Sequence, residues 1–379
     1  MGTGRAPDRA SPEVSFIGAD EEPFDPSTED EGVARTQTYA AIIIVVLVVA
    51  TVAVALTIER PETEVKRSDW AYDMTQLESA WEAGMRGQGV RVGIVDTGID
   101  ADHPVLKDAS VVAWLDLVND RQEPYDDVGH GTAMASIIAG HSPLRGGAVD
   151  VELIIVKVLD HAQGFSDTIV ADGIDFCMDP DGDGDYSDGA DIISLSLGGE
   201  YDNIDILLGT KTEAAIAQAI SHGIVCVAAA GNDGSADDVS MPSRIPEVIS
   251  VGALDRWGQM APFSSPGNTS EPRLDPDKKL EVVAPGVDIV TAYNDGLHAK
   301  GSGTSHATAF TTAVLAVALA AAPDLKHDGA EGGNVTSVKR VKTALMETAK
   351  PLEGQISPHD PKSGYGLIQA VDLIVALKA

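Results

Sequence analysis

The sequence predicts a three-layer α/β domain on a largely parallel sheet, preceded by one transmembrane helix. Three observations carry this. Short unbroken runs of Val and Ile recur along the chain and alternate with helix-like segments, as expected when helices cover both faces of a sheet. An uncharged run rich in Ala, Val and Leu at 305–321 belongs to a helix in the centre of a sizeable core. At 39–58 every residue is apolar except Thr51 and Thr57, and that length matches the ~20 residues a helix needs to cross a bilayer.

Taken in order, residues 1–38 are rich in Pro, Gly, Ser, Asp and Glu and read as a disordered acidic tail, with clusters at Asp20-Glu21-Glu22 and Glu29-Asp30-Glu31. Segment 39–58 reads as a retained signal anchor in contact with the lipid bilayer. The competing reading is a cleavable signal peptide, since Ala53-Val54-Ala55 resembles a cleavage site, but the region before it is long and acidic rather than short and basic. Segment 59–69 is a charged linker, and 70–379 is the folded domain. Within that domain strands are predicted at 90–95, 111–115, 151–158, 192–195, 224–230, 248–251 and 280–283. Helices are predicted at 73–85, 132–139, 168–177, 213–221, 305–321, 337–348 and 369–377.

The 379 residues carry 59 acidic and 26 basic side chains, a formal charge of −33. Such a surface repels phosphate backbones and excludes nucleic acid as a partner. Two cysteines make no disulfide framework; Cys226 sits in an apolar run as a small buried hydrophobe, and pairing of Cys177 stays open.

Three separated motifs carry chemistry. The first predicted strand ends in Asp96-Thr97-Gly98, placing a carboxylate where parallel sheets build their sites. Gly129-His130-Gly131-Thr132 puts an uncrowded imidazole at a helix start. Gly303-Thr304-Ser305 places a hydroxyl where a glycine turn becomes helix, near backbone N–H groups that lack helical partners. Singly, these read as a turn carboxylate, a structural histidine and a helix cap. Together they suit nucleophilic acyl transfer: His130 takes the proton of Ser305, and Asp96 fixes the imidazole tautomer.

With these blocks the chain resembles the subtilisin-like serine proteases, the subtilase family. The matching stretches are 94–99 around Asp96, His130-Gly131-Thr132, Ser194 to Gly199, Ala228-Ala229-Ala230-Gly231-Asn232 and Gly303-Thr304-Ser305, in family order. The resemblance implies a serine endopeptidase acting on peptides or proteins through an acyl-enzyme. It implies Asn232 as the oxyanion-hole residue, and Ser196, Leu197, Gly198 and Gly199, with Gly164, as the substrate-binding edge. The chain departs from the family at His306, where Met is usual, at Ala309, where Pro is usual, and at Ala133, where His is common. The His306 replacement removes an oxidisable thioether beside the nucleophile, and the helix start favours a neutral ring there. Segment 59–69 has no room for a folding-assisting propeptide, so the domain either folds unaided or matures differently.

The loop 179–191 places Asp179, Asp181, Asp183, Asp185, Asp188 and Asp191 within thirteen positions. Like charges so close repel, and Asp at positions one, three and five with Gly at six suits Ca2+ with oxygen ligands; Ala190 at position twelve departs from the EF-hand. The basic residues near 39–58, Arg35 before it and Arg60, Lys66 and Arg67 after it, favour a cytoplasmic domain. The calcium loop favours the outside, and the expectation is a single-pass cell-membrane protein with its peptidase domain extracellular. The alternative of another class is a tethered peptide-binding module without chemistry. A dinucleotide site is disfavoured, because Asp96-Thr97-Gly98 stands where a Gly-x-Gly-x-x-Gly turn would be needed.

Overall fold

The structure is a computed structural model in which residues 15–16, 65–160, 166–197, 209–268, 273–332 and 335–379 are described. The expected anchor 39–58 and the expected tail 1–38, apart from Ser15–Phe16, lie outside the described residues, as do Gly164, Gly198 and Gly199.

Seven of the predicted Val/Ile runs or their neighbours form one sheet: β2 (Arg91–Asp96), β3 (Ser110–Asp116), β4 (Glu152–Lys157), β5 (Ile192–Leu195), β6 (Val225–Ala229), β7 (Ile249–Leu254) and β8 (Val282–Pro285). Its order is β3-β4-β2-β5-β6-β7-β8, and every adjacent pair is parallel. Strands β5 to β8 are buried at every position, which explains why their sequences show no alternation. The chain runs outward from β2 to β3 and β4 on one side, then to β5 on the other. Strand order therefore reverses at β2 and β5, where open α/β sheets hold their ligands.

The helices are α1 (Asp69–Met74), α2 (Leu77–Glu82), α3 (His130–Ala139), α4 (Asp167–Met178), α5 (Thr210–Ser221), α6 (Thr304–Ala321), α7 (Val335–Glu347) and α8 (Ala370–Lys378). Helix α6 is long and apolar enough to cross a membrane, yet 89% of that window is buried inside the domain, so it is the core helix its composition predicts. Phe310 on α6 meets Tyr72 edge-on at 5.0 Å, which ties the N-terminal helices to the centre.

Three features differ from the expectation. The single helix over 73–85 is broken into α1 and α2, because Gln76 adopts a left-handed φ of 61°. The break has a use: the Thr75 carbonyl accepts from Ala370 N, and Gln76 Oε1 accepts from Val371 N and Asp372 N, so the last helix docks there. Residues assigned to the linker belong to the domain, since the Arg67 guanidinium bonds Glu78 and the Arg145 carbonyl while Ser68 Oγ accepts from Val290 N. A hairpin of β9 (Ile289–Tyr293) and β10 (Leu297–Gly301) was not anticipated. Its signal was present in Asn294-Asp295-Gly296, an Asp-Gly turn between two short extended runs. The outer edge of β10 pairs antiparallel with β1 (Ser15–Phe16). Both cysteines are buried and free, and burial pushes the Cys226 thiol up to about 12.

Candidate active site

Asp96 is the last residue of β2 and is fully buried. His130 is the first residue of α3. Gly129 before it has φ 93°, a left-handed turn that glycine enters without strain, and a side chain there would collide with the Tyr293 ring. The motif's glycines thus let the imidazole reach Asp96. His130 Nδ1 lies 2.7 Å from Asp96 Oδ1, and the Thr97 N–H donates to the same oxygen at 2.8 Å. Burial opposes charging of His130, but the Asp96 carboxylate outweighs it through charge and hydrogen bond, with Asp126 adding to the pull. The His130 pKa is therefore raised above the ordinary histidine value.

Ser305 is the second residue of α6 and is 6% exposed. Its hydroxyl donates to the Ser196 carbonyl at 3.2 Å rather than to His130, and Ser196 Oγ returns a longer contact of 3.4 Å to the Ser305 carbonyl. Catalytic hydrogen bonds are often unmade before substrate binds, and a χ1 rotation re-aims a serine hydroxyl. Ser196 and Leu197, just beyond β5, are buried beside the nucleophile. Asn232 follows β6. Its Oδ1 accepts from Thr304 N at 2.9 Å and from Thr304 Oγ1 at 3.0 Å, which assigns the amide orientation and leaves Nδ2 as the outward donor. The Ser305 N–H has no hydrogen-bond partner among the described residues, so two N–H donors are available at this helix start.

Sequence reasoning missed the groups that hold the Asp96–His130 pair. Lys157 ends β4 opposite Asp96 and is fully buried. Its ammonium donates to the Thr97 carbonyl at 2.7 Å, the Leu159 carbonyl at 2.6 Å and Asp127 Oδ1 at 2.6 Å. Asp126 Oδ1 accepts from Thr97 Oγ1 and from the N–H groups of Val128 and Gly129, while Oδ2 accepts from Thr132. Together these clamp the end of β2 to the start of α3. The one available signal was a lysine following the apolar run Leu153 to Val156 at the end of the strand.

Of the six acidic-loop residues, the fold brings three together. Asp179, Asp181 and Asp188 each offer an oxygen, all within 4.8 Å of one another. Asp188 Oδ1 is buried without a partner, and its pKa is raised by burial, then by the Asp181 charge, with Asp179 adding to it. Asp183 and Asp185 lie outside this trio, their carboxylates accepting from Asp185 N and Ser187 N, while Asp179 also accepts from Gly182 N and Gly184 N and Asp181 from Asp183 N. Asp191 stands apart: it accepts from Arg91 N at 2.9 Å, lies 3.5 Å from Lys326 Nζ, and anchors the start of β5.

The subtilase family profile matches residues 87–366. Subtilisin DY of Bacillus licheniformis is 32% identical over 275 residues, covering 71% of this chain and 86% of that protein. The serine protease AprX of Bacillus subtilis strain 168 is 34% identical over 271 residues, covering 64% of this chain and 60% of AprX. The minor extracellular protease Epr of the same strain is 28% identical over 308 residues. The match takes in 79% of this chain but only 41% of Epr.

Proposed function

The chain belongs to the subtilase family, and from that premise we propose that it is a serine endopeptidase working through Asp96, His130, Ser305 and Asn232. The observation that carries this reading is the 2.7 Å bond from His130 to Asp96 on the sheet edge where Ser305 starts its helix. A substrate peptide lies extended along Ser196 and Leu197, both buried just beyond β5. The Ser305 hydroxyl turns from the Ser196 carbonyl toward His130, which takes its proton as Oγ attacks the scissile carbonyl. Asp96 holds the imidazolium that forms, and Asn232 Nδ2 with the Ser305 N–H binds the oxyanion. His130 then protonates the leaving amine, and water releases the acyl group from Ser305 by the same steps. Incubation with an unfolded protein, followed by sequencing of the products, tests the reading. Internal cleavages by the wild type are expected; trimming from one end alone, or no cleavage, overturns it.

Asn232→Ala is expected to lower kcat by about 10²–10³-fold with little change in KM, a magnitude carried over from subtilisin rather than derived from this geometry. Steady-state kinetics on one peptide checks this, and a change confined to KM would remove Asn232 from the oxyanion site.

A calcium ion belongs to the same reading. Its holders are Asp179, Asp181 and Asp188, which fit because the enclosed Asp188 Oδ1 lacks any partner. When bound, the ion neutralises the clustered carboxylates and fixes a loop that feeds into β5 and the Ser196 edge. At calcium 100-fold above Kd the stabilisation is about 2.7 kcal/mol, or roughly 5–10 °C in melting temperature. Asp181→Asn with Asp188→Asn is expected to abolish that increment, while Asp185→Asn leaves it intact. A melting temperature indifferent to calcium in the wild type would leave the loop a solvated turn.

The anchor over 39–58 also belongs to the reading, on its apolar composition and length. One crossing between Phe16 and the domain would put Ser15–Phe16 on the opposite side, so the β1–β10 pairing and insertion exclude each other in one molecule. Deleting 39–58 is expected to move the protein from the membrane fraction to the soluble one, and unchanged fractionation would refute anchoring there.

A further inference from the structure

His306 occupies a seat that an apolar side chain would fill without leaving a polar atom stranded. The residue is 7% exposed, and its Nδ1 is enclosed with no hydrogen-bond partner. Burying an unpartnered polar atom costs stability and calls for an explanation. The ring rests against Gly301, where an added side-chain carbon would stand 2.6 Å from Nε2, so the missing side chain at 301 makes the seat. Nδ1 points to a particular place. A carbon built on Gly303 would lie 3.7 Å from His306 Nδ1 and 3.6 Å from Asn232 Nδ2. One small space beside the nucleophile's turn is therefore bordered by both nitrogens, with Asn232 Oδ1 3.8 Å from the same point.

We propose that His306 is a third donor to the oxyanion, giving an Nδ1–H hydrogen bond beside those of Asn232 Nδ2 and the Ser305 N–H. This rests on the peptidase reading above. No proton is transferred in the step: the neutral ring carries its one N–H on Nδ1 from the outset, and Nε2, packed against Gly301, carries none. The ring's neutrality is secured by its surroundings. Burial, then the charge of His130, pushes the His306 pKa down to about 3. The repulsion is greatest when His130 is an imidazolium, which is when the oxyanion exists. A neutral imidazole at a helix start is a competent electrophile for this purpose. The first turn of α6 adds its own partial positive charge.

The test uses the full chain labelled with ¹⁵N-histidine and a peptidyl trifluoromethyl ketone, which adds to a serine to give a stable oxyanion. The expected result is an adduct on Ser305 in which the His306 Nδ1 resonance is that of a protonated, hydrogen-bonded nitrogen. An adduct with Nδ1 unprotonated overturns the third donor alone. Absence of any adduct overturns the peptidase reading on which it rests. In parallel, His306→Met is expected to lower kcat by about 10- to 10²-fold, at or below the low end for a single oxyanion donor. KM and the acid limb of the pH profile should stay in place, and His306→Gln, which keeps an N–H, should recover part of the loss. Equal kcat in wild type and His306→Met overturns the proposal.

Discussion

Ser305→Ala is expected to lower turnover by about 10⁶-fold while the melting temperature stays within a few degrees of the wild type; the scale is that of subtilisin itself. The asymmetry between the two effects follows from the contacts. Among the described residues the hydroxyl makes one hydrogen bond, to the Ser196 carbonyl at 3.2 Å, and its loss costs about 1 kcal/mol. Alanine is a good helix former and keeps the start of α6 in place. The chemistry has no such substitute, because the neighbouring hydroxyl of the turn, that of Thr304, is committed to Asn232 Oδ1 at 3.0 Å. Hydrolysis of a fluorogenic peptide, read beside a thermal melt, measures both. A variant that keeps more than a few per cent of the activity would place the nucleophile elsewhere.

Asp96→Asn is the second large effect, about 10⁴-fold in kcat by the behaviour of Ser-His-Asp triads in general. In the wild type, Oδ1 accepts from both His130 Nδ1 and Thr97 N. An asparagine can offer an N–H to Nδ1 instead, which leaves the proton on Nε2, the nitrogen that must act as base. The pH profile shifts as well, and its sign is fixed. Only neutral His130 accepts the proton of Ser305, so activity rises with pH through the His130 pKa. Asp96 raises that pKa, so the wild-type acid limb lies above the ordinary histidine value, and removing the carboxylate moves it to lower pH. The stability contribution runs the other way: the Asp96–His130 ion pair is fully present below the unfolded histidine pKa and is lost as pH rises through the folded one. A variant whose acid limb does not move would show that Asp96 does not charge-stabilise His130.

Much of this site was legible in the sequence because each of its parts is local. A buried strand announces itself as an unbroken Val/Ile run, and its carboxyl end then locates Asp96. Glycines around His130 and before Ser305 mark turns that leave side chains uncrowded. What was not legible depends on distant partners. The break at Gln76 follows from docking of α8, almost 300 positions away, on the freed carbonyl of Thr75. The clamp by Lys157 appears only when β4 lies beside β2. Spacing in the acidic loop gave the number of carboxylates but not their directions. Asp179, Asp181, Asp183 and Asp185 all accept backbone N–H groups of the loop, yet only the first two come together with Asp188, and Asp191 goes to Arg91, Lys326 and the strand it introduces. The β9–β10 hairpin carries a local turn signal, but its strands are only five residues long and β10 mixes His298 and Lys300 with small residues, so no apolar run marks it.

Labelling with a fluorophosphonate followed by peptide mapping tests the nucleophile assignment most directly, since the reagent reports an activated serine by a covalent bond and needs no knowledge of the substrate. Attack by Ser305 Oγ on phosphorus expels fluoride and leaves the serine phosphonylated, with His130 taking the proton. The expected result is a single label on Ser305 in the folded protein, absent from Ser305→Ala and strongly slowed in His130→Ala and Asp96→Asn. A folded protein that takes no label would contradict the enzyme and favour a peptide-binding groove without chemistry, and a label on any other serine would contradict the assignment of the nucleophile.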